Sequence, residues 1–136
     1  STFTYLAQTV RELVPGVEVE TVAGITAMQD LAVRSGTVLC EGDETVSLVP
    51  VLGDADAVTV GLDATDTAVF YKCGRHLDLV RDLVREAGRL DVAVFGAQLG
   101  LPDQQVGPLA DVDAAHAPYL STVIVPSRRT TRGGRL

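Results

Sequence analysis

Hydrophobic residues at the start of the chain repeat with the spacing of an α-helix. Apolar positions recur every three or four residues, at Phe3, Leu6, Ala7, Val10 and Leu13. Pro15 then removes a backbone donor, and Gly16 favours the turn that follows a helix. We therefore predict a helix that ends near Val14. Because Ser1 already lies inside this pattern, we interpret the chain as part of a longer protein.

The pattern then changes to a strict alternation. Over 17–22, valine and threonine alternate with two glutamates, which predicts a half-buried strand with one acidic face. A tight turn at 23–25 follows, and Thr26 is a suitable N-cap for a second helix that Gly36 ends. The first part of the chain is therefore predicted to run helix, strand, helix.

Four further strands are indicated by runs of β-branched and other apolar residues. They lie at 46–52, 67–72, 91–95 and 120–125. Pro50 places the first of them at a sheet edge or near a strand end, because proline cannot donate to the ladder. The chain is thus predicted to contain five strands.

The segments between these strands complete the predicted architecture. An amphipathic helical pattern covers 77–87, the segment 55–62 fits either a helix or a strand, and 96–108 is punctuated by glycine and proline as a loop is. Strands interleaved with helices indicate an α/β fold, in which a mixed sheet of about five strands is covered by helices on both faces.

The composition is that of one soluble globular domain, with 136 residues, 46% of them hydrophobic and 21% charged. No apolar run is long enough to span a membrane, and the N-terminus lacks the layout of a signal peptide. We therefore expect a cytoplasmic location.

Charge is distributed unevenly along the chain. The net charge is −7, although four arginines fall in the last nine residues, at Arg128, Arg129, Arg132 and Arg135. We assign 1–126 to the α/β domain and 127–136 to an Arg/Gly-rich tail, which either solubilises the chain or holds a polyanionic small molecule. The acidic body argues against nucleic acid as a partner, because that affinity comes mostly from neutralising phosphates.

Few residues have the spacing of a known catalytic or metal site. Cys40 and Cys73 are far apart, which favours two small core residues over a zinc site or a disulfide. His76 and His116 are also far apart, so we expect no metal site. Phosphate-loop, nucleophile-elbow and zinc-helix motifs are missing from the sequence.

Three predicted strands end in loops of glycine and small polar residues. These loops lie at 23–26, 73–76 and 96–98. In open α/β sheets, ligands bind in the crevice outside the carboxyl ends of the strands, and small residues let a ligand approach the backbone. The loops therefore predict the place of a ligand site, although glycine after a strand also serves as a plain turn residue.

The loop after the 17–22 segment carries a resemblance to a known family. Residues 22–29 (VAGITAMQ) resemble the V-P-G-[IV]-[TS]-[SA]-x-Q segment of the tetrapyrrole methylases, with Ala23 where that family usually has proline. Ser1 to Phe3 resemble the family's S-T-F. Residues 41–50 (EGDETVSLVP) look like a segment typical of the branch that methylates precorrin-2 at C20. Similar matches follow at 70–74 (FYKCG), 96–104 (GAQLGLPDQ) and 118–125.

The resemblance implies a fold and an activity. In the tetrapyrrole methylases, two α/β domains enclose S-adenosylmethionine, usually within a homodimer, and the tetrapyrrole lies in a neighbouring trough. This chain would be the second domain, with a helix at 55–62. It would supply half of the cofactor and substrate site of a methyltransferase that acts on precorrin-2 at C20, and be inactive alone. The reaction needs no metal and no covalent nucleophile.

The resemblance also implies site residues. Carried over position by position, the cofactor contacts fall at Thr26, Ala27, Lys72, Cys73, Ala97 and Leu120. Because precorrin-2 carries many carboxylates, basic side chains should line its trough, and the candidates are Arg75, Arg128 and Arg129. The alternatives are another methylase of the same family, such as a precorrin-3B C17-methyltransferase, or a non-catalytic fragment that supplies dimerisation surface.

Overall fold

A computed structural model describes residues 2–129. It contains one five-stranded sheet with the strand order β1-β2-β5-β3-β4. The strands are β1 (Val46–Pro50), β2 (Thr67–Tyr71), β3 (Val94–Ala97), β4 (Gln105–Pro108) and β5 (Ser121–Val125). β1 and β2 are parallel, and every other neighbouring pair is antiparallel. The predicted mixed α/β sheet is therefore confirmed, with the last strand of the chain at its centre.

Helices cover both faces of this sheet. They are α1 (Thr2–Leu13), α2 (Ala27–Ser35), α3 (Ala55–Asp63) and α4 (Leu77–Glu86), with single 3-10 turns at Gly74–His76, Leu109–Asp111 and Ala114–His116. Side chains alternate along each strand. Phe70 and Val123 pack in the larger core with α3 and α4, whereas Val69 and Ile124 pack against α2. Within the described residues, no helix has the length and apolar character needed to cross a membrane.

The predicted strand at 17–22 is absent, and this prediction is wrong. The segment is extended but pairs with no strand among residues 2–129, and Val22 is 85% exposed. Alternation gives a segment one apolar face, but a strand also needs a neighbour for its backbone groups. The sequence pattern carries no information about that neighbour.

The strand β4 was predicted to be part of a loop, and that prediction is also wrong. This segment contains Gly107 and Pro108, which argue against a strand, but it lies at the edge of the sheet, where proline is tolerated. β3 also starts later than predicted, at Val94. The amides of Val92 and Ala93 bond to the carbonyls of Arg89 and Leu90 in a turn, so the ladder starts only after it.

The remaining elements agree with the sequence. The segment 55–62 is the helix α3, capped by Asp54, whose carboxylate accepts the amides of Asp56 and Ala57. Pro50 is the last residue of its strand. α1 ends at Leu13, and Ala7 is its buried residue.

Candidate functional site

A cleft of about 450 Å³ opens at one end of the sheet. β2 and β3 both run antiparallel to β5, so their carboxyl ends meet at the edge where β5 begins. The N-terminus of α2 lies over the same edge. Residues from four parts of the chain line the cleft. They are Ala27 and Asp30 from α2, Tyr71 and Lys72 at the end of β2, Gln98 and Leu99 after β3, and residues 119–122 at the start of β5. This is the predicted position of a ligand site, and the volume suits a small molecule.

Two residues in the cleft wall have a left-handed backbone. Lys72 has φ 59° and Gln98 has φ 51°, and they are the non-glycine residues with positive φ among those described. The amide of Lys72 donates to the carbonyl of Ser121, and the amide of Gln98 donates to the carbonyl of Leu120, both at 3.1 Å. Left-handed non-glycine residues are uncommon, and they cluster at binding sites. Backbone carbonyls at the start of β5 thus fix the ends of both neighbouring strands, β2 and β3, and each of these ends has a left-handed residue.

The first turn of α2 is capped from within. The hydroxyl oxygen of Thr26 accepts the amide of Gln29 at 3.4 Å, and the side-chain oxygen of Gln29 accepts the amide of Thr26 at 3.2 Å. This reciprocal capping box satisfies two of the donors that a helix N-terminus leaves open.

Tyr71 contacts the same turn from the end of β2. Burial raises the pKa of its phenol above the ordinary value, although hydrogen bonds with the Met28 backbone and the Thr26 side chain act in the opposite direction. Tyr71 therefore keeps its proton at neutral pH.

The amide of Ala27, in the first turn of α2, has no acceptor among the described residues. In residues 2–129, the amides of Thr26 and Gln29 have the partners described above, and the amide of Asp30 donates to the carbonyl of Thr26 at 3.0 Å. Ala27 has no such partner, and it lines the cleft. The N-terminus of a helix favours negative charge and acceptor groups. The Ala27 amide is therefore available to an acceptor atom of a ligand.

The six predicted cofactor residues all lie in or beside this cleft. Ala27, Lys72 and Leu120 line it, and Thr26 caps the helix at its edge. Ala97 and Cys73 are fully buried, one residue away from Gln98 and Lys72.

Cys73 is buried behind the wall of the cleft. Its thiol lies 3.6 Å from the carbonyl oxygen of Ser121 and 3.9 Å from that of Phe70. Burial raises the pKa of this thiol to about 12. Cys73 is therefore a neutral packing residue under the cleft, as predicted, and it is not among the residues that line the cleft. Cys40 is exposed, so the prediction that it is also a core residue is wrong.

The structure does not bring the three predicted substrate arginines together. Arg75 is exposed on the turn after β2, at the cleft end of the sheet. Arg128 and Arg129 follow β5, whose carboxyl end is opposite the cleft. Arg128 pairs with Asp91 at 2.7 Å. Arg132 and Arg135 lie outside the described residues.

The side chain of Arg129 is mostly buried and forms ion pairs with two glutamates. Its guanidinium hydrogen-bonds the fully buried carboxylate of Glu44 and lies 3.6 Å from Glu41. Burial alone would raise the pKa of Glu44, but hydrogen bonds from Glu41 and Ser127 and the charge of Arg129 hold it below the ordinary value. The first residues of the predicted tail are thus packed onto the domain.

Several residues of the cleft wall were missed by the sequence reasoning. Tyr71 could have been found, because alternation along β2 places it on the face that α2 covers. The left-handed turn at Gln98 gives no signal in the sequence, because glutamine has no preference for that conformation. Tyr119 lies in an irregular segment between Ala114–His116 and β5, where no periodicity applies. No group of three or more potential metal-binding side chains occurs in the part of the chain that the structure describes.

The sequence is similar to a known methyltransferase and to a cobalamin biosynthesis protein. It is 36% identical over 110 residues to a precorrin-2 C(20)-methyltransferase from Sinorhizobium sp, which covers 79% of this chain and 44% of that protein. It is 32% identical over 108 residues to the cobalamin biosynthesis protein CobIJ from Mycobacterium bovis, which covers 79% of this chain and 21% of that protein. The chain thus spans less than half the length of these curated relatives.

Solved structures share the fold. A cobalamin biosynthetic enzyme, the cobalt precorrin-4 methyltransferase CbiF, superposes with a TM-score of 0.66 at 18% identity, over 92% of this chain and 59% of that one. The methyltransferase CobJ superposes with a TM-score of 0.59 at 21% identity, over 98% and 61%. Residues 1–113 match the sequence profile of the Tetrapyrrole (Corrin/Porphyrin) Methylases. The chain therefore belongs to the tetrapyrrole methylases, as its motifs predicted.

Proposed function

We propose that this chain forms one wall of the methyl-donor site of a methyltransferase that acts on precorrin-2 at C(20) in cobalamin biosynthesis. The free amide of Ala27 in the cleft is the observation that carries the proposal. The 36% identity to a precorrin-2 C(20)-methyltransferase supports the choice of substrate. The chain covers only 44% of that relative, so the proposal concerns the complete protein that contains it.

The cleft has the properties that S-adenosylmethionine requires. The wall of the cleft is largely apolar, which suits the adenosine and the methionine side chain. Ala27 offers an amide to an acceptor atom of the cofactor. Lys72 and Gln98 hold the opposite walls through their bonds to Ser121 and Leu120. When bound, S-adenosylmethionine supplies a methyl group activated by the adjacent sulfonium.

The proposed methyl transfer depends on alignment of the reacting atoms more than on acid or base groups. A carbon of the reduced tetrapyrrole forms a bond to the methyl carbon, the bond from that carbon to sulfur breaks, and S-adenosylhomocysteine leaves. Holding two reacting atoms in line supplies on the order of 7–11 kcal/mol in the best intramolecular reactions. A rigid wall of hydrogen-bonded turns is suited to that task. Arg75 lies at the cleft end of the sheet and is our candidate contact for a carboxylate of the substrate.

We also expect the protein to be a homodimer. Its expected location is the cytoplasm.

The donor can be removed without disturbing the helix. Ala27 is the first residue of α2, where proline is favoured, and Thr26 has ψ 155°, which a following proline accepts. Ala27→Pro in the complete protein should therefore weaken binding of S-adenosylhomocysteine about tenfold, the loss expected for a buried acceptor left unpaired. Ala27→Val retains the amide and adds similar bulk, so the difference between the two variants measures the donor alone.

A matched control exists in the same chain. Ala55 is the first residue of α3, at the same position after its cap Asp54, and it lies outside the cleft. Ala55→Pro should leave the dissociation constant unchanged. Binding is measured by titration calorimetry.

Mass spectrometry of precorrin-2 incubated with S-adenosylmethionine then tests the reaction, because one added methyl at C(20) is expected. Binding without methylation would refute the substrate, and no binding would refute the site.

A further inference from the structure

Lys72 is the only lysine in the sequence, which otherwise uses arginine for positive charge. It follows β2, lines the cleft and is exposed. Within residues 2–129, its ammonium has no hydrogen-bond or ion-pair partner. The other charged residue of the cleft wall, Asp30, already pairs with Arg34 at 2.7 Å. Of the described residues that line the cleft, Lys72 is therefore the charged one that lacks a counter-charge.

The backbone of Lys72 does not by itself explain a lysine at this position. Its φ is 59°, and its amide donates to the carbonyl of Ser121 at 3.1 Å. Glycine would adopt this left-handed conformation with less strain than any residue that has a Cβ atom. The bond to Ser121 fixes the backbone and therefore the position of Cβ in the cleft wall. A long cationic side chain on a strained backbone indicates that the side chain itself has a task.

Many of the other basic side chains have partners within the domain. Several arginines bind carboxylates or carbonyls among the described residues: Arg34, Arg81, Arg85, Arg89, Arg128 and Arg129. Two of these were predicted to contact the substrate, but they follow the carboxyl end of β5, opposite the cleft. Lys72 and Arg75 lie at the cleft end of the sheet and have no such partner in residues 2–129. Positive charge is therefore available where a ligand would bind.

An ammonium binds a carboxylate, and both proposed ligands contain carboxylates. S-adenosylmethionine also carries a sulfonium and an ammonium, so its net charge is positive and it gains little from a further cation. Precorrin-2 carries many carboxylates, and it must reach the transferable methyl group, so it has to lie beside the cleft. We propose that the Lys72 ammonium binds a carboxylate of the tetrapyrrole substrate. This inference rests on the proposed function and deepens it, because the motifs implied a cofactor contact at Lys72 and no contact with the substrate.

The test is Lys72→Met in the complete protein, which removes the charge and keeps an unbranched side chain of similar length. We expect the KM for precorrin-2 to rise about five- to tenfold, as for the loss of a charged hydrogen bond at an exposed position, with kcat little changed. The dissociation constant for S-adenosylhomocysteine should change by less than about twofold. Lys72→Arg retains the charge and should retain most of the affinity for precorrin-2.

A matched control removes the same charge elsewhere. Arg85→Met takes one positive charge from α4, outside the cleft, and should leave the KM for precorrin-2 unchanged. Added salt should raise the KM of the parent protein more steeply than that of Lys72→Met, because salt screens an exposed ion pair. Equal KM values for the parent and Lys72→Met would overturn the proposal. A loss of affinity for S-adenosylhomocysteine with an unchanged KM for precorrin-2 would assign the ammonium to the methyl donor and also overturn it.

Chemical modification gives a readout that does not depend on turnover. This sequence has no other lysine, so mass spectrometry of the peptide that contains Lys72 follows its acetylation without ambiguity. Precorrin-2 should slow the acetylation of Lys72 in the complete protein, and an unchanged rate would contradict the contact. Slower acetylation without methylation at C(20) would refute the proposed function and leave the role of Lys72 intact.

Discussion

Gly74 lies directly against the backbone of Pro118. A Cβ atom at Gly74 would be 2.6 Å from the carbonyl carbon of Pro118 and 3.0 Å from the carbonyl oxygen of Ala117. Because both neighbours are backbone, no side-chain rotation can make room. This contact joins the turn after β2 to the segment that carries Tyr119 and Leu120 into the cleft wall.

Gly74→Ala should therefore displace the 117–120 segment and damage the cleft. We expect the free energy of unfolding to fall by about 1–3 kcal/mol, as for other overpacked sites, and the affinity for S-adenosylhomocysteine to fall as well. Urea denaturation and calorimetry measure the two effects. Gly107→Ala is the matched control, because Gly107 has no atom within 4 Å of the added Cβ and has no positive φ. Equal stability of the two variants would contradict the steric argument.

The left-handed turn at Lys72 leads to a prediction about side-chain shape. A β-branched residue is strongly disfavoured at φ 59°, whereas asparagine tolerates it. Lys72→Ile should lower the free energy of unfolding by about 1–2 kcal/mol, and Lys72→Asn should be nearly neutral. The comparison requires urea midpoints at an unchanged m-value. If isoleucine were as stable as asparagine, the backbone at this position would not be left-handed.

The two cysteines should differ in reactivity. Cys40 is exposed and Cys73 is buried. Only one thiol should therefore react quickly with a thiol-specific reagent in the native protein, and both should react after denaturation. Cys40→Ser should abolish the rapid phase. A rapid reaction in that variant would show that Cys73 is accessible.

Burial of Cys73 also has a consequence at high pH. Its pKa is raised from 9.0 to about 12, so the unfolded state loses the proton first. The contribution of this group to stability is complete below about pH 9 and is lost as the pH rises toward 12. Cys73→Ala should remove this part of the alkaline loss in chemical denaturation at a series of pH values.

The pair of Arg129 with Glu44 predicts the response to acid. The lowered pKa of Glu44 means that its contribution to stability is present above its ordinary value of 4.5 and is lost as the pH falls through the folded value. Arg129→Gln should be less stable than the parent at pH 7, and the difference should narrow below pH 4.5. Arg128→Gln, which breaks the exposed pair with Asp91, should have a much smaller effect. A pH-independent difference for Arg129→Gln would argue against the pairing.

The sequence predicted the elements whose signal is local. The caps at Thr26 and Asp54 and the periodicity of α4 depend only on neighbouring residues, and the structure has all three. β4 and the false strand at 17–22 depend on which segments pair, and that is decided by the whole fold. The same distinction between local and long-range information applies to the residues of the candidate site. Several motif residues at the strand ends line the cleft. Arg128 and Arg129 were predicted from their charge, and charge does not reveal that a buried carboxylate lies nearby.

The central position of β5 determines when the cleft can form. In the sheet of the described residues, β5 lies between β2 and β3, and the carbonyls of Leu120 and Ser121 accept the amides of Gln98 and Lys72 in the two cleft walls. On a ribosome, the two halves of the sheet emerge first and have no ligand site until the last strand inserts between them. Because such non-local pairing is slow, the cleft should be among the last features to appear during folding. Formation of the cleft would then report that synthesis of this domain has finished.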